Sequence, residues 1–398
     1  MCVVGASAAG LAAALHAARG GASVVLLESK REIGLPAAPA TLAFDHLWGA
    51  SERPPAASVR RRLLGVRIVS PLDAGHALEV AAPLSILDRT RFDQHLASLA
   101  EQAGARIETG VAGLRVDAQR TLTRANGTSV RARVTIFADG ARTLAQRFLR
   151  PTRDPTEIAW GAALEFEHAG AEVEEFVSIT PGEHAPGGRA QTNPIEGERW
   201  THWTFLRGAK AAENVEPLAR ASLALECRLR GWPVRDVMAS AKLTAVAPDP
   251  VYTLPRELVA DGVMVAGGAG GQGGLEVGVA SGALAGAIAA DAVREGDTSR
   301  SALLRYEREW KRRHLRGYRS LRRVADALAR LDDAAIDRLL APWAGWRVPV
   351  RDITGLVHPS AVRRAEAIAK FAMRNPHAVP TTAITGLRAA FSPRRRAE

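Results

Sequence analysis

The apolar positions of residues 1–30 fall into three groups separated by glycine. Cys2, Val3 and Val4 form a short run without a polar interruption, residues 11–19 are rich in alanine and leucine, and Val24 to Leu27 form a second unbroken run that closes on Glu28. Unbroken runs predict strands buried on both faces. The alanine-rich stretch, stopped by Gly20 and Gly21, predicts a helix between them. This opening unit reads strand, turn, helix, strand.

Further along, residues 29–36 read as a loop, and residues 37–55 are Pro- and Ala-rich without a period. Residues 66–80 alternate and predict a hairpin turning near Gly75, and residues 84–89 end a strand. From Thr90 onward Phe92, Leu96, Leu99 and Ala100 share one helical face; Gly104 ends that helix, and residues 106–111 predict the next strand. Short runs at 114–116 and 121–123 lead through an Asn126-Gly127 hairpin turn into a strand over 130–137. That strand ends in Ala138, Asp139 and Gly140, a second loop at a strand's carboxyl end.

The pattern then changes. Over residues 151–255 the period is two, clearest at 158–166 and 199–206, with breaks at Pro186-Gly187-Gly188 and Gly197 and one helix over 215–230. This predicts an antiparallel sheet inserted into the α/β pattern. The earlier rhythm resumes with a buried strand at 262–266, a glycine-dense loop at 267–274 and a helix over 277–293. Residues 301–340 read as amphipathic helix, with Leu303, Leu304, Trp310, Leu315, Leu321, Val324 and Leu328 available for packing. No internal repeat is evident.

The turn Gly5-Ala6-Ser7-Ala8-Ala9-Gly10 is where chemistry enters. A glycine turn between strand and helix aims backbone N–H groups at a phosphate, and an acid at the end of the second strand accepts bonds from a ribose. Ser7 stands at the middle glycine position of that fingerprint, small enough for a pyrophosphate to approach. A serine on such a turn also suggests a nucleophile elbow, but Ala9 stands where that motif needs its second glycine. The reading is therefore a dinucleotide site.

Composition describes an ordinary globular chain of 398 residues, 47% hydrophobic and 24% charged. Two cysteines, Cys2 and Cys227, make no disulfide framework and suit a reducing cytosol. The ten histidines form no metal-binding spacing, and no P-loop is visible. The chain's net charge of +11 is unevenly placed: residues 297–398 carry 22 Lys and Arg against 10 Asp and Glu, a net of +12, which leaves −1 for the rest. Clusters at 311–313, 322–323, 363–364 and 394–396 point to an anionic membrane surface, with a solvated helix surface as the alternative. No nucleic-acid recognition motif accompanies them, so no specific nucleic acid is expected. The apolar stretch 278–293 has small residues at four-residue spacing but reads as too short to span a bilayer, and as a close-packed core helix.

Four stretches resemble the geranylgeranyl reductase family of FAD-dependent oxidoreductases, within the wider group of flavin monooxygenases. They are VVGASAAGLAAALHAARGGASVVLLESKREIGLP, LDRTRFDQHLASLAEQAGARI, IFADGAR and DGVMVAGGAGGQGGLEVGVASG; RYEREW, farther on, is similar to the family's C-terminal region. The resemblance implies an α/β chain, α+β overall: a three-layer FAD/NAD(P)-binding domain, an inserted antiparallel β-sheet substrate domain and C-terminal helices. On that division residues 1–150 are the first part of the FAD domain, with part of the substrate domain near 40–90. Residues 151–255 form the β-rich domain, 256–296 complete the FAD domain, and 297–398 are a basic helical region.

By matching position, Gly5, Ser7, Ala8, Ala9 and Gly10 would face the FAD pyrophosphate, and Glu28 with Ser29 the adenosine ribose. Arg89 would lie near the flavin, Val111 would offer backbone to the adenine, and Asp139 and Gly140 would form the internal loop. Gly268, Gly271, Gly273 and Gly274 would pass the ribityl chain and flavin ring. Two of these have plainer readings: Arg89 pairs with Asp88 or Asp93, and Asp139 forms an Asx-turn before Gly140. The chain also departs from the family. Gly268 replaces the aspartate that bonds the ribityl hydroxyls, Pro39 replaces a cysteine, and residues 186–194 lack the aromatics of a PGGYxWxFP-like run.

Three functions follow from the resemblance and its departures. One is hydride transfer from reduced FAD to a carbon–carbon double bond of a hydrophobic, isoprenoid-like substrate, with NAD(P)H as electron donor and His202, Tyr252 or Glu276 as proton donor. Another is flavin-dependent monooxygenation. The third is a non-catalytic, flavoprotein-derived binding protein at a membrane surface or on an acidic partner. The location implied is cytoplasmic, peripheral at the membrane's inner face; catalytic residues and oligomeric state are left open.

Overall fold

The computed structural model describes residues 1–350 apart from 50, 152–157, 170–173, 209 and 251–252. Tyr252 and the arginine clusters at 363–364 and 394–396 lie outside the described residues. In chain order the first elements are β1 (Cys2–Val4), α1 (Ala8–Arg19), β2 (Val25–Leu27), β3 (Thr41–Phe44), β4 (Val59–Val69), β5 (Ala77–Leu87), α2 (Arg89–Gln102) and β6 (Arg106–Glu108). Next come β7 (Arg115–Val116), β8 (Leu122–Thr123), β9 (Ser129–Val130), β10 (Thr135–Phe137), β11 (Ala159–Glu167), β12 (Phe176–Thr180), β13 (Arg189–Glu196) and β14 (Arg199–Leu206). The last are α3 (Ala211–Arg230), α4 (Val234–Ser240), β15 (Lys242–Asp249), β16 (Val259–Ala260), β17 (Val263–Val265), α5 (Leu275–Glu295), α6 (Arg300–Trp310), α7 (Arg316–Leu328), α8 (Asp333–Leu340) and β18 (Trp346–Pro349).

These elements form two compact units. Among the described residues, the first comprises Met1–Val59, Leu87–Ile158 and Asp249–Tyr318; the second comprises Arg60–Ile86, Ala159–Pro248 and residues 319–350. The described part of the basic region, residues 297–350, is thus divided between the units.

The first unit is built on a six-stranded sheet of order β16-β17-β10-β1-β2-β6, parallel except for β16. Its central strands β1, β10 and β17 are buried throughout, whereas the edge strand β6 carries Arg106 and Glu108. Register matters most here: Val4 pairs with Leu27 on one side and with Phe137 on the other. The loops that leave β1, β2 and β10 therefore emerge side by side at one edge.

Helices α1 and α5 pack closely. A Cβ on Gly282 would lie 1.9 Å from the Ala9 carbonyl oxygen, and one on Gly286 would lie 2.2 Å from that of Ala13, so only glycine lets the backbones approach this far. At 21 residues α5 is longer than the sequence pattern predicts, and by length and composition it could cross a membrane. Its glycine face is instead buried on α1, inside the first unit.

The strands of the insert pair antiparallel with one another, as the sequence predicts, and the sheet they join in the second unit is mixed. Strands β11, β14, β13 and β12 are antiparallel neighbours, but β12 runs parallel to β4 and β18 parallel to β5. Val215, Ala219, Leu223 and Cys227 recur every fourth residue on α3, one side of the helix, and pack with Leu164, Phe166, Trp200 and Leu206.

Three further expectations are corrected. The strand expected over 106–111 stops at Glu108, because the N–H groups of Gly110 and Val111 turn back to the carbonyls of Lys30 and Glu28. The segment 130–137 is two strands, β9 and β10, in different sheets. The helical run 301–340 is interrupted by a π-turn at Lys311–Leu315 and by a break before α8, where Asp332 caps a new helix.

Candidate functional site

The three loops at the carboxyl edge of the first sheet enclose a cavity of about 590 Å³. The first loop is the glycine turn. Gly5 has φ +94°, and a Cβ there would meet the Ala138 carbonyl oxygen at 2.7 Å; a Cβ on Gly10 would sit 1.9 Å from the Gly5 oxygen. Both positions therefore require glycine. Ser7, by contrast, contributes its side chain: Oγ accepts from the Gly10 N–H at 3.4 Å as the helix N-cap and donates to the Ala138 carbonyl at 3.0 Å. Its serine thus ties the turn to the third loop. Ala8 and Ala9 form the buried first turn of α1.

Glu28 closes the second loop. Its Oε2 accepts from the Ala6 N–H at 2.6 Å, and its Oε1 accepts from the Lys30 N–H at 2.8 Å and the Ser29 hydroxyl at 3.1 Å. The carboxylate that the sequence assigns to a ribose is therefore also the brace between the first two loops. Val111 lines the same cavity, with its N–H taken by the Glu28 carbonyl at 2.8 Å.

Arg89 takes one of the two acid partners that the sequence offers it. It pairs with Asp93 one turn along α2, with N···O distances of 3.1 Å, and it lines the cavity. Burial pushes the Asp93 carboxyl upward and the Arg89 guanidinium pulls it back. Asp139, in the third loop, is not an Asx-turn onto Gly140. Its Oδ2 accepts from the Leu144 N–H at 2.8 Å, while Oδ1 is buried without a partner among the described residues. Burial raises its pKa.

The glycine loop passes alongside. A Cβ on Gly268 would lie 3.5 Å from Gly140 Cα, an ordinary contact, and one on Gly267 would meet Ala9 Cβ at 2.7 Å. Gly271 and Gly274 have φ of +70° and +93°. Gly268, Gly271, Gly273 and Gly274 do not line the cavity itself, whereas Gly5, Ser7, Glu28, Ser29, Arg89, Val111, Asp139 and Gly140 do.

Several contributors were not legible in the sequence. Lys30, Ile33, Gly34 and Pro36 line the cavity from the loop after Glu28, which is held when Thr90 Oγ1 donates to the Gly34 carbonyl at 2.9 Å. Behind the glycine loop, Tyr306 donates to the Val265 carbonyl at 2.8 Å, and the Tyr318 hydroxyl donates to the Gly273 carbonyl. The RYEREW stretch contains Tyr306 and was the one available signal.

Of the proton-donor candidates, His202 is fully buried between Thr192, Ser222 and Thr204, and burial lowers its pKa to about 4. It is a neutral packing group of the second unit. Glu276 is held toward its protonated form by burial, and its Oε1 accepts from the Phe44 N–H.

These residues fit FAD at its pyrophosphate and ribose end. The fit rests on the lining of the cavity by Gly5, Ser7 and Glu28 beside the N-terminus of α1, and on an orphaned carboxylate oxygen on Asp139. Gly268, which by the resemblance stands in place of an acid, contributes no side chain.

No protein-family model matches the chain. It is 32% identical over 338 residues to digeranylgeranylglycerophospholipid reductase 1 of Methanothermobacter thermautotrophicus, covering 77% of this chain and 80% of that one. Its fold is similar to that of a geranylgeranyl bacteriochlorophyll reductase-like protein from Thermoplasma acidophilum, with a TM-score of 0.74 at 20% identity over 96% of this chain and 98% of the other. A halogenase in complex with FAD, PltM, is similar at a TM-score of 0.59 and 13% identity, over 96% and 85% of the two chains.

Proposed function

The chain belongs to the geranylgeranyl reductase family of FAD-dependent oxidoreductases, and from that premise we propose that it holds FAD in the cavity of its first unit and reduces carbon–carbon double bonds of a hydrophobic, isoprenoid-like substrate. The single observation behind this reading is the convergence of Gly5, Ser7, Glu28 and Asp139 from three loops, and of Arg89 from the start of α2, on one cavity. When bound, FAD supplies the hydride. The chain's residues bind and orient it. The N-terminus of α1 favours the pyrophosphate through its N–H groups and dipole; Glu28 accepts from ribose hydroxyls; the Asp139 Oδ1 accepts a further hydroxyl.

Glu276 is the proton source this reading favours, because burial raises the pKa of its carboxyl and Oε2 is free of the bond to Phe44. NAD(P)H is the electron donor, and the protein works in the cytoplasm at the inner face of the membrane. Monooxygenation is the second reading. It is favoured by Arg189, Gln191 and Asn193, which stand on one face of β13 where the family has aromatics, with Gln191 Nε2 donating to Asn193 Oδ1 at 3.1 Å.

The test is the visible absorption spectrum of the purified protein before and after excess FAD is added and the unbound fraction removed. Flavin bands, followed by oxidation of dithionite-reduced protein by a geranylgeranyl lipid faster than by oxygen, support reduction. Faster reaction with oxygen supports the second reading, and a protein that takes up no flavin removes both.

A further inference from the structure

Helix α6, the π-turn at Lys311–Leu315 and α7 make one continuous helical run from Arg300 to Leu328. Tyr318 comes eight residues after Trp310. A regular helix turns about 100° per residue and would set the two side chains roughly 80° apart round the axis. A π-turn absorbs one extra residue, so the eight steps turn the chain as far as seven regular ones and leave roughly 20° between the two. The rings meet accordingly, edge to face with centroids 5.5 Å apart. Tyr306, one turn before Trp310, shares that face, and all three side chains are buried.

The two phenols on this face hold the two ends of the glycine loop. Tyr306 donates to the carbonyl of Val265, where β17 ends, and Tyr318 donates to that of Gly273, two residues before α5 begins at Leu275. In between, a Cβ on Gly267 would meet Ala9 Cβ at 2.7 Å and one on Gly268 would lie 3.5 Å from Gly140 Cα, so the loop rests on the first turn of α1 and on the third loop of the cavity. Its exit has no local anchor, because Gly274, at φ +93°, caps α5 without a side-chain bond. Three residues on from Gly273 stands Glu276, whose Oε1 accepts from the Phe44 N–H. Burial chiefly, with Asp249 and Glu276 nearby, raises the pKa of Tyr318, so its phenol remains a donor.

We propose that Tyr318 is a positioning residue for the candidate site: aimed by the π-turn, its hydroxyl fixes the exit of the glycine loop and the first turn of α5, on which Glu276 stands. The inference deepens the FAD reading and rests on it, although the holding of the loop is a property of the chain without cofactor. A tyrosine of purely structural value would contribute to melting and leave both the motion of this loop and the binding of the cofactor as they are.

The experiment compares the full chain with Tyr318→Phe, which keeps the ring against Trp310 and removes the hydroxyl, and with a deletion of Arg313. Arg313 is exposed, and Arg312 still pairs with Glu309 when it is gone. Seven regular steps then join Trp310 to Tyr318, so the hydroxyl keeps its direction. Three quantities are read: amide hydrogen exchange over residues 267–277 in the FAD-free proteins, melting temperature, and FAD affinity by titration. Tyr318→Phe is expected to exchange about tenfold faster over that stretch and to bind FAD about three- to tenfold more weakly, whereas the deletion matches wild type in both. Unchanged exchange or unchanged FAD affinity in Tyr318→Phe, whatever its melting temperature, overturns the proposal. So does a folded deletion variant as impaired as Tyr318→Phe, since the π-turn then does not set the direction of the hydroxyl; if the deletion does not fold, Tyr318→Phe decides by itself. A wild-type protein that takes up no FAD defeats the reading of the site instead, and exchange in the same samples still decides whether Tyr318 holds the loop.

Discussion

Gln272 and Tyr306 are joined by a hydrogen bond of 3.0 Å from the amide Nε2 to the phenol oxygen, and that phenol in turn donates to the Val265 carbonyl at 2.8 Å. Tyr306 is fully buried and Gln272 nearly so. The bond ties the middle of the glycine loop to the end of β17 through α6. A loop with so many glycines has a large conformational entropy to lose, so its path must be held by contacts of this kind.

Tyr306→Phe leaves the Gln272 amide and the Val265 carbonyl short of a partner inside the protein. A loss of about 1–3 kcal/mol in stability is expected, together with weaker FAD binding. Thermal melting with and without FAD measures both, and an unchanged FAD affinity would mean that the loop's path does not matter to the cofactor.

Gly268→Asp should strengthen FAD binding. The Cβ has room 3.5 Å from Gly140 Cα, so the side chain enters without displacing backbone. A charge-assisted bond to a ribityl hydroxyl contributes about 1.5–3 kcal/mol, or roughly tenfold or more in affinity. Titrating the apoprotein with FAD checks it; weaker binding would place the ribityl chain elsewhere.

His202 makes stability pH-dependent in a defined window. Its folded pKa, lowered chiefly by burial and also by Arg230 and His184 against the opposing pull of Glu226, is about 4, against an ordinary 6.5. Between those values the unfolded chain binds a proton that the folded one does not, so stability falls as pH drops from 6.5 toward 4. The loss is on the order of 3 kcal/mol. Relative to wild type, His202→Gln should lose less stability across this window, as urea unfolding at several pH values will read; parallel profiles would rule His202 out as the cause.

Gly282→Leu should separate α1 from α5. Its Cβ alone would fall 1.9 Å from the Ala9 carbonyl oxygen, a backbone atom that cannot swing away. Overpacking of this kind costs at least about 1–3 kcal/mol, and because α1 carries the phosphate turn, FAD affinity should fall with stability. Circular dichroism melts and FAD titration together test this; a variant with wild-type melting would deny the close helix contact.

What the sequence determined by itself was local. Runs such as Val24 to Leu27, the glycine turn ending at Gly10 and the alanine-rich helix after it follow from short-range sterics and burial, and these carried the α/β reading, the dinucleotide turn and the likeness to a flavin-dependent family. The partners of individual side chains were not legible, because they are set by residues far away in the chain. Ser7 bonds a carbonyl 131 residues on, and Tyr318 bonds one 45 residues back. Strand register decided which loops share an edge, and so made Glu28 a brace as well as a ligand candidate. Periodicity predicted the apolar stripe of α7 but said nothing of its direction. Only the tertiary structure shows Leu321 and Val324 to be 43% and 47% exposed, since a helix's hydrophobic pattern does not say which partner it meets.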